Sequence, residues 1–122
     1  MNEQFAQLMS LLLSSSIQAQ IFHRQTKSFS EHMTLGSYYD EVVEIIDGLT
    51  ESYQGKYGII GKYGSYSYVD YTTNENTINY FVLICGKVTE LRKAFPDTFI
   101  QNQIDTLEEL LYSTLYKLRN LK

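Results

Sequence analysis

Four residues between His23 and Glu51 have types and spacings suited to binding a metal ion. They are the two histidines of the chain, His23 and His32, and an Asp-x-x-x-Glu pair, Asp47 and Glu51. Imidazole nitrogen and carboxylate oxygen are both ligands of metal ions in proteins. Two acids four residues apart lie on successive turns of a helix and can share one ion. These residues are therefore candidate metal ligands.

A single helix is predicted to carry three of these ligands. At about 100° of rotation per residue, Asp47 and Glu51 fall roughly 60° and 100° from His32 on a helical wheel. The apolar residues of the same helix centre at about −50° instead. They are Leu35, Tyr39, Val42, Ile46, Leu49 and Tyr53. The ligands form a band beside the core stripe, so this band faces either water or another subunit.

The composition indicates one soluble globular domain. The 122 residues are enough to bury a core, and 43% of them are hydrophobic and 20% charged. The single cysteine, Cys85, excludes an intrachain disulfide and favours a reducing cytoplasm. The apolar run Leu8–Leu13 lacks a basic flank and is too short to span a bilayer, so no membrane contact is predicted.

The charge distribution argues against nucleic-acid binding. The net charge is −4, and a stretch without Lys or Arg separates Lys27 from Lys56 and holds six acids. A surface for DNA or RNA requires clustered Lys and Arg, which this chain lacks. The acidic stretch is either a solvated helix face or a surface that concentrates cations near the candidate ligands.

Four amphipathic helices are predicted, at about residues 3–26, 29–54, 77–94 and 97–120. Ser28 and Glu31 form an S-x-x-E capping box at the start of the second helix, and Gly55 is predicted to end it. Pro96 separates the last two helices. The predicted fold is an all-α four-helix bundle of ferritin-like connectivity, with one long crossover at residues 55–76.

Tyrosine is concentrated around the predicted crossover. Gly-Lys-Tyr-Gly occurs twice, at residues 55–58 and 61–64, and more tyrosines follow at nearly alternate positions. The alternation fits a short strand or an extended connection. One interpretation is a connector packed by aromatic rings, and the other is a surface for a protein or small-molecule partner. The candidate binding residues are Tyr57, Tyr63, Tyr66, Tyr68 and Tyr71.

The segments Phe22–Asp40 and Ile46–Glu51 resemble the mini-ferritins, which are ferritin-like proteins of the starvation-induced DNA-protection type. They are more similar still to small ferritin-like sequences carried by tailed phages, and for a phage-encoded chain the predicted cytoplasm is that of the host. The most specific part of the resemblance is the spacing of His32, Asp47 and Glu51.

The resemblance implies an iron site shared between subunits of a homo-oligomer. In mini-ferritins, histidines that end the first helix and begin the second come from one subunit, and the Asp-x-x-x-Glu pair comes from its symmetry mate. Carried over to this chain, the iron ligands are His23, His32, Asp47 and Glu51, and the implied enzyme class is a ferroxidase. Arg24 stands where the family usually has Trp, and the basic tail that binds DNA is absent. DNA compaction is therefore not expected.

Two functions of different classes remain open from the sequence. The first is a ferritin-like homo-oligomer that binds ferrous iron, with oxidation of that iron as the implied reaction. The second is a non-catalytic binding or structural protein of a phage or mobile element, which has the same bundle and acts through its tyrosine-rich connector. Iron content and size distinguish them, because the first predicts a dodecamer containing iron and the second a metal-free dimer.

Overall fold

The computed structural model describes residues 1–122 and contains four α-helices and no strands, which confirms the prediction of an all-α four-helix fold. The helices are α1 (Asn2–Gln25), α2 (Phe29–Tyr57), α3 (Asn74–Arg92) and α4 (Thr98–Asn120). Short connections join α1 to α2 and α3 to α4. Residues 58–73 join α2 to α3 and are called the connector below.

Each helix contributes an apolar stripe to one core. α1 packs on α2 and α3, and α4 packs on the same two helices. Buried residues recur three and four positions apart along each helix, as amphipathic helices require. Examples are Leu8, Leu12, Leu35, Val42, Phe81, Val88, Leu107 and Leu111. In the middle of α1, where the buried side chains are small, the hydroxyls of Ser15 and Tyr38 form a hydrogen bond of 2.7 Å.

The first helix contains a long apolar stretch. By length and composition α1 is the one helix that could cross a membrane, but 72% of its apolar window is buried inside the fold. Its neighbours α2 and α3 cover two sides, and the connector covers a third. Burial of this kind is expected of a core helix in a bundle.

The second helix continues past Gly55, where the sequence pattern predicted its end. It ends instead at Gly58, whose φ of 89° lies in the left-handed region that favours glycine. Tertiary contacts hold the extra turn, because Lys56 and Tyr57 both bind Asp97 at the start of α4. These contacts offset the cost of a glycine inside a helix, which is about 1 kcal/mol.

The third helix begins at Asn74 rather than at residue 77. The Thr73 side chain caps it by accepting a hydrogen bond from the backbone N–H of Asn76. The connector is therefore shorter than the predicted crossover at both ends. Pro96 lies between α3 and α4, as predicted.

The connector is extended and runs beside α1 in the same direction as α1. Three of its backbone N–H groups donate to side chains of that helix. The pairs are Gly64 with Ser10, Val69 with Gln18, and Tyr71 with Gln25. The connector contains no strand, so the extended form is observed rather than the strand alternative. It returns the chain to the end of the bundle where α2 starts, and α3 begins there.

The last helix finishes at that same end of the bundle. The Ser30 hydroxyl near the start of α2 donates to the carbonyl oxygen of Leu121, and the Asn74 amide donates to that of Leu118. Helices α1 and α4 therefore run in one direction, and α2 and α3 run in the other.

Candidate functional site

His23 and His32 lie face to face across the short α1–α2 connection. Their ring centroids are 3.7 Å apart, with an interplanar angle of 17°. Nδ1 of His23 lies 2.6 Å from the carbonyl oxygen of His32, and Nδ1 of His32 lies 2.9 Å from that of His23. One ring belongs to the last turn of α1 and the other to the first turn of α2, so closure of this hairpin brings them together.

This reciprocal pairing determines which nitrogen of each ring is free. A carbonyl oxygen only accepts hydrogen bonds, so Nδ1 of each histidine carries the hydrogen and donates it. In a neutral ring of this tautomer, Nε2 keeps an unshared electron pair. Histidines that bind metals commonly donate their other ring N–H to a carbonyl or carboxylate oxygen, which orients the ring. His23 and His32 therefore form a pair of oriented imidazoles with unshared Nε2 atoms.

Gly36 makes room for the His23 ring on the surface of α2. A Cβ at Gly36 would lie 3.2 Å from Cε1 of His23, closer than an ordinary van der Waals contact. On the next turn, Tyr39 packs edge-on against the same imidazole, with 5.3 Å between ring centroids. A side chain at position 36 would therefore require the His23 ring to shift by a few tenths of an ångström.

Sequence reasoning missed a buried carboxylate beside the histidines. Glu31 is only 5% exposed. Its Oε1 accepts hydrogen bonds from the Tyr71 hydroxyl at 2.7 Å and the Thr26 hydroxyl at 3.1 Å, and its Oε2 has no partner within the chain. The predicted capping box is half formed. The Ser28 hydroxyl accepts from the Glu31 N–H, but the Ser28 N–H donates to Thr26 instead of Glu31.

Asp47 and Glu51 lie on the exposed face of α2, and neither carboxylate has a hydrogen bond or ion pair within the chain. At 1.5 Å per residue, they are about 22 Å and 28 Å from His32 along the helix axis. The chain contains no group of three or more His, Cys, Asp or Glu side chains placed to hold a metal ion. The structure thus brings the two histidines together and leaves the two acids apart from them.

The candidate tyrosines divide into two groups. Tyr57 and Tyr71 are partly buried, and each donates a hydrogen bond to a carboxylate on another part of the chain. Tyr63, Tyr66 and Tyr68 are exposed by 46%, 41% and 41%. The first group fixes the two ends of the connector, and the second is accessible to a partner.

Cys85 is buried in the core face of α3. Burial raises the pKa of its thiol to about 11. The thiolate is the reactive form of cysteine, so this residue is protonated and inert near neutral pH. Its predicted role as a small core residue agrees with this position.

The comparisons with known proteins give one family match. The model of a family described as "Family of unknown function (DUF5856)" matches residues 23–118, a segment that begins at His23 and covers most of the chain. No curated protein and no solved structure matches the chain.

Proposed function

The chain belongs to the DUF5856 family of unknown function, and from its site geometry we propose that it is a ferritin-like homo-oligomer that binds ferrous iron between subunits. One observation carries the proposal. The rings of His23 and His32 are each held by a hydrogen bond from Nδ1, which leaves Nε2 free. Asp47 and Glu51, on the exposed face of α2, have no partner in their own chain. Two copies of the chain would bring the histidines and the carboxylates together in one site.

The proposed site combines His32 and His23 of one copy with Asp47 and Glu51 of another. Imidazole nitrogen and carboxylate oxygen are suitable ligands for Fe(II). Oxidation of this ion would need an external electron acceptor such as dioxygen, and in that reaction Fe(II) is the substrate. A cytoplasmic location accompanies the proposal, because Fe(II) and the free thiol of Cys85 both persist in a reducing compartment.

An antiparallel contact between two α2 helices would satisfy this arrangement. A two-fold axis near Asp40 and Glu41 places His32 of each copy opposite the Asp47 and Glu51 turn of the other, since two-fold contacts pair each surface with itself. Asp40 and Glu41 are exposed, so the contact brings acids of both copies close together. Their mutual repulsion opposes assembly unless a cation binds, and Fe(II) is therefore expected to strengthen the oligomer.

The course of the chain supports a ferritin-like arrangement. α1 and α4 run against α2 and α3, and the connector returns along α1 to begin α3 parallel to α2. A four-helix bundle with one long crossover is expected to follow such a course, which supports the proposal. The proposal adds a ligand set on the outer face of such a bundle rather than inside it.

Anaerobic titration with Fe(II) tests the proposal. The wild-type protein is expected to bind the ion and to show a higher melting temperature in its presence, since a ligand of the folded state stabilises that state. His32→Asn and Asp47→Asn are each expected to lose most of this binding. Glu75→Gln, which removes an exposed acid from α3, is the matched control and should bind as the wild type does. A wild-type protein that does not bind Fe(II) would refute the proposal.

A second candidate function is non-catalytic binding through the connector, as in a binding or structural protein of a phage or mobile element. The exposure of Tyr63, Tyr66 and Tyr68 favours it, because tyrosine supplies large contact area and a hydroxyl at low entropic cost. The double change Tyr66→Ala and Tyr68→Ala should then abolish partner binding with little change in melting temperature. Unfolding of that variant would instead assign these rings to packing.

A further inference from the structure

The connector encloses a small cavity between itself and helices α1 and α3. The cavity has a volume of about 120 Å³ and is lined by residues of all three segments. Gln18 of α1 lines it and is 2% exposed, and both atoms of its side-chain amide bond to the backbone of Val69, at 2.9 Å to the N–H and 2.8 Å to the carbonyl oxygen. One water molecule needs only about 10 to 15 Å³ of such space, so the cavity has room for a group of several atoms.

The cavity is lined by hydrogen-bond donors that have no partner in the chain. The hydroxyls of Tyr66 and Tyr68 line it without a hydrogen bond, unlike those of Tyr57 and Tyr71, which bind carboxylates. Lys87 of α3 also lines it, and its ammonium group forms no ion pair. An ammonium group donates hydrogen bonds and accepts none. No acidic side chain lines this cavity, so its donors are available to a ligand.

Tyr80 of α3 brings a third phenol to the same cavity. Burial raises the pKa of its hydroxyl, and the neighbouring phenols of Tyr68 and Tyr66 raise it further. The Tyr80 hydroxyl therefore keeps its hydrogen at physiological pH, and the three phenols lie close together. Hydrogen bonds from such groups to an ionised acceptor are roughly twice as strong as those between neutral groups.

The charge of Lys87 is isolated from other charges. It is the one basic residue between Lys62 and Arg92. The nearest acid on the same helix that lies within one turn, Glu90, pairs with Lys93 at 3.1 Å. An unpaired ammonium group beside phenols makes a local positive site on a protein whose net charge is −4. This cavity is therefore suited to an anion and unsuited to a cation.

A larger and more apolar space adjoins the cavity. It has a volume of about 330 Å³ and shares Leu11, Tyr66 and Lys87 with the first cavity. Leu91 adds a further apolar side chain to its lining. Apolar surface beside a few convergent polar groups is the usual composition of a small-molecule site. The two spaces together fit a ligand that has an anionic head and an apolar body.

We propose that these adjoining cavities bind a phosphate monoester, with its phosphoryl group among Tyr66, Tyr68 and Lys87. A phosphoryl group offers three strong acceptor oxygens, which match donors arriving from both the connector and α3. A carboxylate has only two acceptor oxygens, and both lie in one plane. The apolar body of the ligand lies against Leu11 and Leu91. The proposal gives the connector a small ligand, and it does not depend on iron binding.

Calorimetric titration of the metal-free protein with phenyl phosphate tests this site. The wild type is expected to bind, and Tyr68→Phe and Lys87→Gln should each weaken binding by about tenfold or more, since each removes a hydrogen bond to a charged group. Tyr63→Phe and Lys27→Gln make the same changes at exposed residues outside both cavities, and should bind as the wild type does. Phenylalanine keeps the aromatic surface, so this result is independent of partner binding through the rings.

Two further probes separate the phosphoryl group from the ring. Phenol, which lacks the phosphoryl group, should bind at least about tenfold more weakly than phenyl phosphate, and inorganic phosphate should displace phenyl phosphate. Circular dichroism checks that each variant is folded. A wild type that does not bind phenyl phosphate would overturn the proposal, as would equal binding by Tyr68→Phe and Lys87→Gln. Phenol that binds as tightly as phenyl phosphate would also overturn it, because the cavity would then recognise the ring alone.

Discussion

The candidate ligands in the two halves of α2 differ in how far a single chain holds them in place. In the first half, His32 is stacked on His23 and bonded to its carbonyl oxygen, and the neighbouring Glu31 is buried with two hydroxyl donors. In the second half, Asp47 and Glu51 are exposed and have no hydrogen bond or ion pair within the chain. The same helix therefore carries one imidazole that folding orders and one carboxylate pair without partners.

This difference indicates which part of the candidate site is built by folding. The histidines are held by hydrogen bonds and packing that form as soon as the α1–α2 hairpin closes. The acids gain nothing from folding, because an exposed carboxylate without a partner contributes little to stability. The ligand role proposed for them would thus depend on association, and their exposure is consistent with a surface that a second copy covers.

The largest expected effect is a difference in stability between variants of two adjacent residues in the second half of α2, one in the core and the other a candidate ligand. Ile46 is 4% exposed and lies in the core, so Ile46→Ala should lower the free energy of unfolding by about 2 to 5 kcal/mol. Asp47→Asn, one position along, should change it by less than about 0.5 kcal/mol. Urea unfolding measures both values. Comparable losses at the two positions would mean that Asp47 has a structural partner after all.

A smaller effect is expected in the first half of α2, where two substitutions of His32 both remove the imidazole but only one of them removes its hydrogen bond. Asn places an amide nitrogen where Nδ1 lies and keeps the hydrogen bond to His23, whereas Gln does not. Both replace the imidazole and its Nε2. His32→Gln should therefore be less stable than His32→Asn by about 1 kcal/mol, the usual net value of a hydrogen bond. Equal stabilities would show that the reciprocal bond contributes little.

The smallest effect concerns a carboxylate that does have partners. Hydrogen bonds from Lys56 and Tyr57 hold the pKa of Asp97 below its usual value of 3.8. Because the folded-state pKa is depressed, this contact stabilises the fold above pH 3.8, and the stabilisation is lost as the pH falls through the lower folded-state pKa. The wild type should thus be slightly more stable than Asp97→Asn at pH 7. This difference in the free energy of unfolding should disappear in acid.

Unfolding curves at several pH values measure the difference in stability between the wild type and Asp97→Asn. The same change at Asp47, a carboxylate without contacts, is the matched control and should leave the pH dependence of the wild type in place. If Asp97→Asn also retained the full pH dependence, the contrast between partnered and unpartnered acids on this protein would be lost.

The sequence was informative about helices because amphipathic spacing reports directly on burial. The stripes containing Ile46 and Leu107 are buried as the pattern predicts. The end of α2 was predicted wrongly, since local propensity favours stopping at Gly55 and only the contacts of Lys56 and Tyr57 with Asp97 extend the helix. Such contacts join residues far apart in the chain and leave no local pattern.

The candidate site was predictable in residue type but not in geometry. Its candidate ligands were chosen from composition and spacing, whereas the stacking of His23 on His32 depends on the shape of the α1–α2 connection. A signal for it was nevertheless present. The two residues lie at nearly equal distances from a short helix–helix loop, and antiparallel helices place such positions side by side. The role of Glu31 had no comparable signal, because Tyr71 reaches it from another part of the chain.

The most direct test of the central claim is complementation between two defective chains. Neither His32→Asn nor the double variant Asp47→Asn, Glu51→Gln should bind Fe(II) when pure. If histidines and acids of one site come from different copies, a mixed dimer has one intact site and one lacking both ligand types. Equal mixing after unfolding and refolding together should then restore about one quarter of the wild-type sites. A mixture that binds no more Fe(II) than the separate variants would contradict a site shared between subunits.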